Sequence, residues 1–235
     1  MNGLLVRVGA DLSVGGGSWN GPVDMTTGEF AYVAIPETAC IHPGLEKPYQ
    51  TLAPTVEKFG VKLPSHLALR HMHLDPDFGH LTYGDQGERA KQLRNLQRDD
   101  LILFYAGLAD ISGAARLIYA LIGVFVVDKL SNAADVSPSE RDINAHTRRV
   151  LKPEATDLIV HGRPTVSGRL TQCLPIGEYR DRAYRIRRDL LVEWGDLSVK
   201  NGYVQRSARL PRLLDPPSFL RWLKAQRPTY VAANN

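Results

Sequence analysis

Two apolar stretches that lie close together, "LILFYAGL" (101–108) and "ARLIYALIGVFVVDKL" (115–130), constrain this chain more than any other feature. Both are dense in β-branched and aromatic residues, both are too short or too interrupted to span a bilayer, and the turn "ADISGA" separates them. They read as a hairpin of long strands. At 235 residues the chain is long for one small module and short for two, so a single domain over 1–235 is expected, with core strands in about 1–37 and 98–175.

Other strands follow from shorter patterns. "GLLVRVGADL" (3–12) and "GEFAYVAIPE" (28–37) alternate like strands, and "DLIVHGRP" and "GRLTQCLPIG" look like two more. Residues 38–70, rich in proline, read as a surface excursion with one short helix near "PTVEKFG". Helices are expected in 85–100 with Asp85 as N-cap, in 137–149, in "RIRRDLLVEWG" and in "PPSFLRWLKAQ". The fold class that results is α+β: a mixed β-barrel or strongly bent antiparallel sheet decorated with short helices.

Charge is unevenly placed. Residues 1–162 hold 15 Lys and Arg against 19 Asp and Glu, whereas 163–212 hold 11 against 5, ten of the eleven being arginine. Arginine offers a planar fork of donors that suits phosphate, so His146, Arg148, Arg149, Arg180, Arg182, Arg185 and Arg187 are candidate phosphate or nucleic-acid contacts. The competing reading of the Arg-rich segment, 176–235, is a solvated surface with internal ion pairs. The sequence shows no basic-then-apolar leader and no membrane-spanning run, so a cytoplasmic protein is expected. Cys40 and Cys173 each stand alone among apolar residues and read as buried free thiols.

Two stretches carry candidate chemistry. The glycine-rich loop "SVGGGSWNGPVDMTT" closes with no Walker lysine and opens no helix, but backbone at Gly16 and Gly17 can approach a ligand closely, with Trp19 and Asn20 following at once. The second, "HMHLDPDFGHLTYGD" (71–85), packs three histidines and three aspartates into fifteen positions. If it is extended, His71, His73 and Asp75 share one face and could hold a divalent metal. No His-Glu-x-x-His pattern or cysteine cluster supports that, so no cofactor is favoured. "LDPDFG" also has the chemistry of an ordinary turn, and a third reading makes the stretch one rim of a ligand pocket.

The segment "LRNLQRDDLILFYAGL…RLIYALIGVFVVD" resembles the core of the PUA-like superfamily, especially its EVE and ASCH branches, although Asp99-Asp100 replaces the Gly-Asp usual at that turn. From "RVGADLSVGGGSWNGPVD" through "HLDPDFGHLTYGD" to "GEYRDRAYRIRRDLLVEWGDLS", the chain is similar to the nucleotide modification associated domain family, third type, associated with phage and bacterial systems that modify DNA bases. The PUA-like resemblance implies a base held in a pocket, with Trp19, Tyr83 and Tyr105 as walls and Asn20, Asp75 or Asp85 reading its edge.

Three functions stay open. The first is a domain that binds DNA or a nucleotide and recognises a modified base. The second is an enzyme on a modified base or nucleotide, with Asp11, His73, Asp75 and Asp77 as acid-base or metal-binding groups. The third is a subunit that docks a base-modifying enzyme, and no membrane partner is expected.

Overall fold

The computed structural model describes residues 1–10, 19–205 and 209–235. Its strands are β1 (Gly3–Arg7), β2 (Pro22–Val23), β3 (Ile35–Pro36), β4 (Met72–His73), β5 (Thr82–Asp85), β6 (Leu101–Asp110), β7 (Ile118–Asn132), β8 (Leu158–Gly162), β9 (Gly168–Pro175), β10 (Gly177–Arg180), β11 (Ala183–Ile186) and β12 (Tyr230–Val231). The α-helices are short: α1 (Ala53–Glu57), α2 (Ser65–Ala68), α3 (Gly87–Leu93), α4 (Ala145–Arg148), α5 (Arg188–Glu193) and α6 (Pro216–Ala225). Among the described residues no helix is long and apolar enough to cross a membrane.

The expected hairpin is the centre of an eight-stranded sheet. β6 and β7 pair antiparallel from Leu101↔Val126 to Leu108↔Ile118. Their apolar runs are continuous because the sheet is covered on both sides: Ile102 and Phe104 point into one core with Leu4 and Val6, while Leu101, Leu103 and Tyr105 point into a second with Leu5, Trp194, Phe219 and Trp222. A strand buried on both faces has no polar side to alternate with. α5, α6 and the β10–β11 hairpin cover the second face.

The sheet is mixed, because β1 and β2 run parallel to β6. The strand path β1-β6-β7-β8-β5 stays open among the described residues, so of the two expected forms, a mixed barrel or a bent antiparallel sheet, the barrel is not found, and the sheet is mixed rather than antiparallel. Along its other edge β7 meets β9 at 120–124 and β8 at 127–132. The two predicted strands are thus halves of one antiparallel neighbour, interrupted at 163–167. β5 then adds to β8, and β12 adds to β9.

Other expectations shift locally. "GEFAYVAIPE" is buried from Phe30 to Ala34 but forms only β3, since its backbone partners are scattered: Ala31 N–H bonds Pro22, Val33 C=O accepts from Ala10, and Tyr32 N–H bonds the Asn235 side chain. The helix expected in 137–149 breaks at Asn144, whose extended backbone (φ -157°, ψ 157°) separates a 3-10 turn from α4. Gln86, not Asp85, is the N-cap of α3. Cys173 is buried as expected, whereas Cys40 is exposed.

Candidate active site

Beyond the outer edge of β5 and β8, four short pieces of chain meet. β3 and β4 form a small ribbon in which Ile35 pairs with His73, and Glu37 follows directly after β3. Asp75 leads the loop from β4 to β5, through a cis peptide to Pro76. α4 contributes His146, and Asp157 immediately precedes β8. One donor atom each from His73, Asp75 and His146 lies within 4.8 Å of the others.

The loop that carries Asp75 is anchored beneath the sheet. Phe78 is fully buried and meets Tyr32, Phe104 and Phe125 edge to face at 5.4–5.7 Å. It sits against Gly123 of β7, where a Cβ would come within 2.3 Å of the ring. Gly84 plays the same part for the site itself, because a Cβ there would stand 2.4 Å from the His146 ring and 2.7 Å from Asn144 Oδ1. Only glycine leaves room for both.

Each catalytic candidate is locked by a partner. Nδ1 of His73 lies 2.6 Å from Glu37 Oε2, and Arg149 closes on the same carboxylate with Nη2 at 2.8 Å and Nε at 3.0 Å. Nδ1 of His146 lies 2.5 Å from Asp157 Oδ1. Asp75 Oδ1 accepts from Gly84 N–H and from the Asn144 side chain, both at 2.8 Å. The Asn144 Oδ1 in turn accepts from His146 N–H at 2.9 Å, so one asparagine fixes both a carboxylate and an imidazole.

What remains open is one polar atom on each side chain. A carboxylate beside Nδ1 holds the proton on that nitrogen and leaves Nε2 with its lone pair. Among the described residues Nε2 of neither histidine takes a hydrogen bond, and Asp75 Oδ2 approaches His146 Nε2 only to 3.9 Å, too far for one. The side chains of His73, Asp75 and His146 are 8%, 5% and 5% exposed. Burial drops His73 to about 4, with Glu37 opposing, so its imidazole is neutral near pH 7. Burial also pushes Asp75 up to about 7 against the pull of His146, Asn144 and Gly84. For Glu37 and Asp157, burial is overcome by the histidine each one faces, joined at Glu37 by Arg149, and both carboxyls lie below the ordinary range.

The remaining sequence candidates fall elsewhere. His71 is exposed and outside the group, and His146, from the opposite half of the chain, stands where the i, i+2 reading put it. Asp77 points into a separate ion pair with the buried Arg148, which also meets Asp142 at 2.8 Å, and Asn234 reaches Asp77 at 3.0 Å. Tyr83 is buried and donates to Asp85 at 2.7 Å; Tyr105 is buried and donates to the Val204 carbonyl at 2.6 Å. Asn20 is buried with its amide on the Gly107 carbonyl, and Trp19 packs half-buried against the core. Asp11, Gly16 and Gly17 lie outside the described residues.

Among the arginines, Arg180 is engaged by Glu178 and Asn201, Arg185 by the carbonyls of Arg180, Lys200 and Asn201, and Arg187 by Asp189. Arg149 braces Glu37 at the site, and Arg148 belongs to the separate Asp77 pair. Arg182, exposed at the β10–β11 turn, has no partner among the described residues. Reading by residue type misses Glu37, Asn144 and Asp157, which lie 36, 2 and 11 residues from the histidines they serve. No local spacing marks them.

The family model described as nucleotide modification associated domain 3 matches residues 2–215. The chain belongs to that family. No curated protein and no solved structure matches it. The matched span contains every residue of the His73, Asp75 and His146 group and each of its supporting partners.

Proposed function

We propose that this member of the nucleotide modification associated family is a catalytic component of its system, acting on a base or nucleotide at the centre built from His73, Asp75 and His146. One observation carries the reading. Three buried ionisable side chains, each fixed by its own polar partner, bring one ligating atom apiece within 4.8 Å of the others, with Asp75 Oδ2 3.9 Å from His146 Nε2. Ionisable side chains gathered at one buried point, one of them a carboxyl that burial pushes up to about 7, mark places where chemistry is done. A core polar network would have closed on itself.

The reading reverses the order of the sequence expectations, which put base recognition first. The candidate walls and edge readers Tyr83, Tyr105 and Asn20 are occupied in the fold's interior, and most of the candidate phosphate arginines bond within the protein. A second reading as a base-recognition domain has one observation in its favour: Tyr179, with Arg116 4.7 Å above its ring, and Arg182, which has no partner among the described residues, present an exposed aromatic and cationic surface on β10–β11. A PUA-like kinship of the β6–β7 core belongs with that reading.

The test is mass-resolved turnover. Purified protein is incubated with nucleoside monophosphates and with DNA carrying unmodified and modified bases, beside Asp75→Asn. Product formed by the wild type and reduced at least about 100-fold in a folded Asp75→Asn supports catalysis. Salt-sensitive binding of modified DNA without any mass change, unaltered in Asp75→Asn, would establish the recognition domain instead.

A further inference from the structure

We infer that His73, His146 and Asp75 form a mononuclear site for a divalent first-row transition metal, held by two imidazole nitrogens and one carboxylate oxygen with its remaining positions open. The inference deepens the catalytic reading by naming what the centre holds, and it can fail separately from it.

The donor set is the first argument. Two histidines and one carboxylate are the protein ligands of a catalytic metal site, which leaves at least one position for water or substrate, whereas structural sites are closed by four. With both Nδ1 atoms committed to carboxylates, the nitrogen each histidine has left is Nε2. With Asp75 Oδ1 committed to Gly84 and Asn144, the oxygen left is Oδ2. Each side chain therefore offers one atom.

The second argument is the layer behind the ligands. Metal-bound histidines commonly donate their other N–H to a carboxylate, which fixes the ring and raises its basicity. Here both do so, through Glu37 at 2.6 Å and Asp157 at 2.5 Å, and Glu37 is itself clamped by Arg149. A histidine held only for packing has no need of this arrangement twice around one point.

Distances fit a site that tightens on its ion. Metal bonds of about 2.0–2.2 Å place neighbouring donors about 3.3–3.6 Å apart in a tetrahedral arrangement. The approach of His146 to Asp75 is 3.9 Å, and the whole group spans 4.8 Å. Small side-chain rotations close that difference. Two imidazoles favour zinc, iron, cobalt or nickel over magnesium and calcium, which prefer all-oxygen sites.

Metal content of the purified protein and a cobalt titration of metal-stripped protein test the assignment, with zinc competition, beside His146→Gln, Asp75→Asn and His71→Ala. The expected result is one equivalent of zinc or cobalt per chain, weakened at least about 100-fold in His146→Gln and Asp75→Asn, intact in His71→Ala and not displaced by magnesium. A rise in wild-type melting temperature with zinc, reversed by a chelator and absent with magnesium, supports the site without any variant. No stoichiometric metal in folded wild type, binding that survives His146→Gln, or equal binding of magnesium would overturn the site. Turnover that resists chelation but disappears in Asp75→Asn would keep the catalytic reading and discard the metal; tight zinc binding with no turnover of any nucleotide or DNA would do the reverse.

Discussion

Asp157 Oδ1 stands 2.5 Å from Nδ1 of His146, and this contact settles which imidazole nitrogen faces Asp75. Asp157→Asn keeps the shape but replaces a charged acceptor with a neutral amide, which weakens its hold on the Nδ1 proton. The variant is predicted to fold with a melting temperature close to wild type and to lose about 10- to 100-fold in zinc affinity or turnover. Nitrogen-15 NMR of labelled histidine reads the tautomer directly. An unchanged tautomer with unchanged affinity would mean that Asp157 plays no part in tuning His146.

Gly84 tests how closely β5 must approach α4. An alanine there would place its Cβ 2.4 Å from the His146 ring and 2.7 Å from Asn144 Oδ1. Overpacking of this kind costs about 1–3 kcal/mol, a drop of several degrees in melting temperature for a domain of this size. Because the displaced groups are His146 and the asparagine that orients Asp75, activity should fall further than stability. Calorimetry and turnover on one preparation compare the two losses.

The Asp77–Arg148 pair separates support from chemistry. Asp77 and Arg148 are 1% and 2% exposed, and removing Asp77 leaves the buried Arg148 with only the partly exposed Asp142 as its counter-charge. Asp77→Ala is predicted to cost about 3–5 kcal/mol in denaturant unfolding, and adding Arg148→Met should restore part of it, because an apolar pair is tolerated where a lone buried charge is not. Failure of the double variant to recover stability would show that Asp142 and Asn234 carry this part of the fold without the pair.

The two cysteines should differ sharply. Burial pushes the Cys173 thiol up to about 12, while Cys40 is exposed. Since the thiolate is the reactive form, a disulfide reagent at pH 8 is predicted to label Cys40 alone in native protein and both after denaturation. A raised folded pKa also means that Cys173 favours the native state up to the ordinary thiol value near 9, and that this contribution is lost as pH climbs from there toward 12. Rapid labelling of Cys173 at pH 8 without denaturant would contradict its placement.

The central hairpin is legible in the sequence because burial on both faces of β6 leaves a run that no other element explains, and Phe104 and Leu103 announce opposite cores in one stretch. The parallel arrival of β1 and the break at 163–167 are not legible, since each depends on a long-range neighbour. Half of the site can be read, because spacing alone singles out His73 and Asp75 as a pair. The two-residue period of a strand assigns the third place to His71, but His71 is exposed and His146 comes from a helix 73 residues beyond His73. Composition marks the arginines, and the competing reading of the Arg-rich segment as a surface of internal ion pairs is the one met at Arg180 and Arg187, which pair with Glu178 and Asp189.

Anomalous diffraction at the zinc edge, from crystals grown with zinc, tests the metal centre without any assay of turnover. One strong peak bonded to His73, His146 and Asp75 at about 2.0–2.2 Å, with an open position beside it, is the predicted result. Full occupancy elsewhere, such as at the exposed His71 or His80, with no peak among the three buried side chains, would contradict it.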